Sequence, residues 1–306
     1  MGRKANRSIR KKGQAKGPLI LVLLGAAVAV IVGLLVLSDR WSDERERPLR
    51  EATPHRPLPP RQVPVPAVPE PAEPGEVPEP PVAVKGEGKL AIIIDDMGSS
   101  MEEARTFMSM KTPLTFAIIP GLAKDSQVAE AAHAQGYEVI VHLPMEPQGY
   151  PQRRIERNGL LIAMSDYEIE ERVAEYLRAV PHADGGNNHM GSRFTEVREK
   201  MLPALRVMNG SGFFFIDSRT SPVSTGASVA RELGMKTASR NVFLDNVQEV
   251  GAIRRQLNQA AAIARKRGRA IAIGHPHRAT MQALAAAIPV LKAQGITFTF
   301  ARDMVN

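Results

Sequence analysis

Six short apolar runs, separated by stretches of helical period, constrain the fold of this chain more than any other feature. They are LAIII (90–94), FAIIP (116–120), VIVHLP (139–144), FFFID (213–217), AIAIG (270–274) and TFTFA (297–301), with weaker candidates near Gly185 and Val242. Continuous apolar runs, unlike alternating ones, suit strands covered on both faces. Between them SDYEIEERVAEYLRAV opens with Ser165 and Glu168 at capping-box spacing, and Met281, Leu284, Ile288 and Leu291 recur every three or four residues. Pro203 and Pro289 fall inside such helical patterns and count against them. Strand then helix, repeated along residues 88–306, predicts an α/β domain with a parallel sheet. No glycine-rich dinucleotide turn follows the first run, so an incomplete (β/α) barrel fits better than an open nucleotide-binding sheet.

The chain upstream has a different texture. Residues 1–17 carry seven of the positive charges and no acid, so the net charge of +8 is almost wholly theirs, and the remainder gives no support to nucleic-acid binding. Residues 18–37, PLILVLLGAAVAVIVGLLVL, form an uncharged run of twenty, long enough to cross a hydrocarbon core of about 30 Å as a helix. The basic flank predicts a single-pass inner-membrane protein with its N-terminus in the cytoplasm and the rest in the periplasm. Residues 38–87 become proline-rich, which predicts a semi-rigid disordered linker. The chain has no cysteine, which excludes disulfides, thiolate metal sites and a cysteine nucleophile.

The polar residues of the domain gather after the predicted strands. Asp95 and Asp96 end the first, and His142 lies in VIVHLP. Asn187, Asn188, His189 and Arg193 follow in DGGNNHMGSR, Asp217 and Arg219 end FFFIDSR, and His275 and His277 lie in GHPH. In a barrel these positions share the C-terminal rim. Adjacent carboxylates repel one another unless a cation or donors compensate them, and imidazoles beside them suit a divalent ion such as Zn²⁺. Asp96, His142 and His189 are the expected ligands, Asp95 the general base and His275 the general acid. Asn188, Arg193, Asp217, Arg219 and His277 are further candidates for metal or substrate.

IIIDDMG, HLPMEPQGYP, GGNNHMGSRFT, FFIDSRTS and GHPH, in this order, resemble the divergent polysaccharide deacetylase family, a branch of the NodB-like carbohydrate esterases. The resemblance covers residues 88–306. It implies a distorted (β/α)7 barrel and metal-dependent removal of N-acetyl groups from a cell-envelope polysaccharide. It also implies that Asp95 is the base, Asp96 a metal ligand and His275 the acid. In the NodB-like enzymes a second histidine follows the first by four residues; here that position is Glu146, so either His189 or Glu146 completes the ligand set. A chain that keeps the fold without turnover, as a polysaccharide-binding or envelope scaffold protein, is the alternative expectation.

Overall fold

The structure, a computed structural model, describes residues 86–306. The expected basic tail 1–17, membrane helix 18–37 and nearly all of the linker 38–87 lie outside the described residues. Among the described residues no helix is long and apolar enough to cross a membrane.

Strand β1 (Gly88–Met97) leads into helix α1 (Met101–Met108). The alternation continues through β2 (Thr115–Ile118), α2 (Asp125–Ala134), β3 (Glu138–Met145), α3 (Asp166–Ala179) and β4 (Gly185–Met190). Helix α4 (Arg198–Gly210), β5 (Phe214–Asp217), α5 (Gly226–Glu232), β6 (Thr237–Ser239) and β7 (Val242–Phe243) follow. Helix α6 (Val250–Arg267), β8 (Arg269–Gly274), α7 (Arg278–Ala293) and β9 (Ile296–Thr299) complete the domain. Every expected strand is present, including the weaker candidates at Gly185 and Val242. The strands are parallel in the order β6-β5-β4-β3-β2-β1-β8-β7, and β9 also pairs with β1.

The edges of this sheet explain how the barrel is incomplete. Strands β6 and β7 are successive parts of one extended segment, whose first half pairs with β5 and whose second half pairs with β8. Counting the segment once leaves seven positions around the ring, and the wall is unzipped where the segment changes partner. Strand β9 pairs with Gly88–Ala91 of β1, ahead of the stretch that pairs with β2 from Ile93 onward.

The helices form where the sequence places them. Ser165 accepts a hydrogen bond from the Glu168 amide, and the Glu168 carboxylate accepts one from the Ser165 amide at 2.7 Å, a complete capping box. Pro203 and Pro289 do lie inside helices α4 and α7. A proline interior costs a helix about 3 kcal/mol, whereas each fully buried large apolar side chain contributes about 1.5–3 kcal/mol. Helix α7 buries Leu284, Ile288 and Leu291, and α4 buries Met201, Leu205 and Met208, so the apolar face outweighs the break.

Side-chain alternation along the strands divides the interior in two. Leu90, Ile92 and Ile94 of β1, Val139 and Val141 of β3, Phe215 of β5 and Ala270 and Ala272 of β8 pack outward against the helices. Ala91, Ile93, Ile140, Phe214, Ile216, Ile271 and Ile273 fill the barrel itself. Gly185 makes room for one of these, because a Cβ there would stand 2.4 Å from the Phe214 ring. The N-terminal end of the barrel is closed by a short 3₁₀ turn, Ala301–Met304, whose Ala301 and Met304 join the inner cluster. The buried carboxylate of Glu138 fastens this turn. It accepts from the amides of Ala301 (2.7 Å) and Arg302 (3.0 Å), from Arg302 Nε (2.7 Å) and from the Thr115 hydroxyl.

Candidate metal centre

The same inward alternation carries polar residues at the opposite end. Odd positions of β1 face the lumen, so Asp95 follows Ala91 and Ile93 inward; even positions of β3 do so, and His142 follows Ile140. The contacts agree, because Asp95 meets Asn187 of β4 across the lumen and not across a shared strand edge. Asp96 then adopts a left-handed φ of 56°, which turns its carboxylate back toward the same space.

Three donor atoms converge there. Asp96 Oδ1 lies 2.8 Å from His189 Nδ1 and 3.2 Å from His142 Nε2, and the two nitrogens are 3.2 Å apart. Asp96 Oδ1 is buried and makes no hydrogen bond. Lone pairs so close repel one another unless a proton or a cation sits among them. The tautomer of His142 is fixed independently. Asn187 donates through Nδ2 to Asp95 Oδ1 at 2.8 Å, so its Oδ1 must accept the proton on His142 Nδ1 at 2.6 Å. In the neutral imidazole, the form that binds a metal, His142 Nε2 is thereby left as a lone pair facing Asp96. Two imidazole nitrogens and one carboxylate oxygen within 4.8 Å of one another form a donor set that fits a divalent metal.

The electrostatics reflect this crowding. Burial alone would raise the Asp96 carboxyl, yet His142 and His189 hold it well below the usual carboxylate range. Burial also disfavours charge on His142, but Asp95 and Asp96 raise its pKa above the ordinary histidine value. For Asp95 burial dominates and pushes the carboxyl up, although His142, His275 and the Asn187 amide oppose it.

His275 follows the inward Ile271 and Ile273 of β8, and its Nε2 stands 3.9 Å from Asp96 Oδ2. Behind it lies Asp245, which accepts the Nδ1 proton at 2.9 Å, the His275 amide at 2.6 Å and the Thr280 hydroxyl at 2.8 Å. Burial lowers the His275 pKa, but the Asp245 hydrogen bond and the charges of Asp95, Asp96 and Asp245 outweigh it and raise the value to about 9.

Of the expected residues, Asp95, Asp96, His142, His189 and His275 are thus brought together. The others lie outside this group of five. Glu146 is not in the cluster, because Oε2 accepts the Ile162 amide at 2.8 Å and Oε1 pairs with Arg193 at 2.9 Å. Glu146 and Arg193 therefore tie down the long β3–α3 loop. Asn188 points outward and joins loops, accepting the Ser218 amide at 2.9 Å and donating to Met190 O at 2.9 Å. Asp217 also points outward and organises the turn before α5 through Ser224 (2.9 Å) and the Ala227 amide (3.1 Å). Arg219 is exposed, and Asp217 binds its backbone amide at 2.8 Å, not its guanidinium. His277 precedes α7 and contacts Gln248 at 3.0 Å, and it stacks on His275 at 5.8 Å, so it stands beside the site with Asp245 and His275 and not among the donors around Asp96. Asn187, expected on the rim without a role, belongs to the site, as do Asp245 and Glu156, whose Oε2 lies 3.5 Å from His189 Nε2 and neither of which the sequence singles out.

With this geometry in place, the comparisons with known proteins are informative. The family described as divergent polysaccharide deacetylase matches residues 92–305. The chain is 38% identical over 197 residues to protein YibQ of Escherichia coli (strain K12), a match covering 64% of this chain and 61% of that protein's length. It is 36% identical over 202 residues to a protein of Haemophilus influenzae (strain Rd), covering 66% and 71% respectively. Among solved structures, protein ATU2773 of Agrobacterium tumefaciens C58 superimposes with a TM-score of 0.68 at 21% identity, over 74% of this chain and 92% of that one, a likeness of fold. The chain belongs to the divergent polysaccharide deacetylase family.

Proposed function

We propose that the protein is a metal-dependent hydrolase that removes N-acetyl groups from a cell-envelope polysaccharide, with Zn²⁺ held by Asp96, His142 and His189. The observation that carries this reading is the buried, hydrogen-bond-free Asp96 Oδ1 facing two imidazole nitrogens, flanked by a second carboxylate and a histidine with a raised pKa. A divalent ion at this position supplies a Lewis acid that polarises a carbonyl and acidifies water. Asp95, oriented by Asn187 through Oδ1, takes the proton of the attacking water. The water oxygen bonds to the acyl carbon and the carbon–nitrogen bond breaks. His275 gives its Nε2 proton to the departing amine, while Asp245 retains the Nδ1 proton and stabilises the imidazolium before transfer.

Elemental analysis of the purified protein, beside His142→Ala and His189→Ala, tests the ligand set. The expected result is about one ion per chain, lost in both variants, together with acetate release from N-acetylglucosamine oligomers that Asp95→Asn abolishes. An ion content at background after reconstitution with Zn²⁺ refutes the hydrolase and leaves polysaccharide binding without turnover. The proposal also places the domain in the periplasm behind the apolar run 18–37. Fractionation that recovers the full chain among soluble proteins would overturn that part.

A further inference from the structure

We infer that Glu156 is a positioning residue for the metal centre: its carboxylate accepts the Nε2 proton of His189 and so leaves the Nδ1 lone pair facing Asp96 and His142. The inference rests on the metal-dependent reading above. A neutral imidazole carries one N–H, and its partner decides which nitrogen holds it. For His142 that choice is made by Asn187. For His189 the Nδ1 side faces Asp96 Oδ1 at 2.8 Å and the His142 Nε2 lone pair at 3.2 Å, so without an ion an Nδ1 proton bonds to His142; an ion displaces that proton, and the Nε2 side then offers Glu156 Oε2 at 3.5 Å as its acceptor.

Glu156 Oε2 is itself buried without a hydrogen-bond partner, and such a group costs about 1–3 kcal/mol until it finds one. A few tenths of an ångström brings the pair into ordinary bonding range. The backbone that carries Glu156 is held nearby. Asn158 Nδ2 donates to Pro120 O at 2.9 Å, and the buried Tyr176 hydroxyl donates to Asn158 O. The β3–α3 loop is thus held at two anchors, Glu146 at its base and Asn158 near its middle, and sets one carboxylate behind His189, the more exposed of the two ligand imidazoles.

The test uses protein labelled with ¹⁵N-histidine, metal-free and with one equivalent of Zn²⁺. Long-range ¹H–¹⁵N NMR is expected to show His189 protonated at Nε2 in the zinc-loaded wild type, and to show Nδ1 protonation gaining in Glu156→Ala at the same zinc concentration. Glu156→Gln is expected to keep the wild-type tautomer, because its amide oxygen accepts the same proton. Competition with a chelating dye is expected to give a Zn²⁺ affinity about 10–100-fold weaker in Glu156→Ala, with partial recovery in Glu156→Gln. Equal thermal midpoints for the metal-free proteins separate positioning from a purely structural role. Glu156→Ala with the wild-type tautomer and an affinity within about twofold would overturn the inference. A wild type that binds no zinc refutes the metal reading and the inference with it, whereas a wild type that binds zinc beside an unaffected Glu156→Ala refutes the inference alone.

Discussion

Replacing Asp245 by Asn is expected to lower the pKa of His275 by about one to three units, the range produced by a nearby opposite charge. Asn keeps the shape of Asp245 and an oxygen for the Nδ1 proton and removes the charge, but it turns an NH₂ toward the His275 amide, which adds a cost in stability that does not vary with pH. In the native site burial opposes the imidazolium, and Asp245, Asp95 and Asp96 together overcome it, raising His275 from 6.5 to about 9. At ~1.4 kcal/mol per pH unit this amounts to about 3 kcal/mol favouring the charged form in the fold. The His275 side chain is only 18% exposed, so solvent screens little of it. Because the folded pKa lies above the unfolded one, this stability is fully present below pH 6.5 and is lost as pH rises through about 9. Two measurements on metal-free protein read it: an NMR titration of the His275 ring, and urea unfolding at intervals across that window. In Asp245→Asn the titration moves toward neutrality and the pH-dependent loss of stability shrinks with it. A variant whose His275 still titrates near the wild-type value would refute the reasoning and assign the shift to Asp95 and Asp96 alone. As general acid, His275 must be protonated, so the alkaline limb of the deacetylation rate is expected to move down with its pKa.

Two further substitutions separate fastening from chemistry. Glu138→Ala leaves the Thr115 hydroxyl and the Arg302 amide without their acceptor, while the Ala301 amide keeps Thr115 Oγ1 at 3.0 Å and the Arg302 guanidinium keeps Asp184 at 2.8 Å. Loss of one partner of a buried pair costs about 3–5 kcal/mol, and Arg302, whose side chain is 48% exposed, places the expectation near the lower end. Urea unfolding checks it, and a cost below about 1 kcal/mol would contradict the proposed fastening. Glu146→Ala is expected to speed amide exchange at Ile162 while leaving metal content unchanged; loss of the ion would make Glu146 a ligand after all.

The strand alternation explains which parts of the site were legible. Apolar runs located the strands, and motif order gave Asp95, Asp96, His142, His189 and His275. The alternation itself was left unused. Counted from the lumen-facing residues of each strand, it sends Asn188 and Asp217 outward and brings Asn187 and Asp245 inward. Asp245 stands behind a two-residue strand, Val242–Phe243, too short to announce itself, yet it is separated from Phe243 by the same step that separates His275 from Ile273. Glu146 matched a histidine position of the NodB-like enzymes by spacing, but β3 ends at Met145 and the chain turns there, so spacing no longer predicts direction. Glu156 lies in a loop without periodicity, where only the folded backbone brings it to His189.

The floor of the barrel also fixes where the described chain can be held. Gly86 donates to Gln294 O just ahead of β9, and Asn306 exchanges backbone hydrogen bonds with Thr237 at the start of β6, so both ends emerge on the side away from the rim. A fluorescent fusion, an affinity handle or a bead joined at either end therefore grips the molecule from beneath and leaves its mouth open. Insoluble glycan particles, too large to enter any pocket, can be brought to such an immobilised layer without the attachment standing in their way.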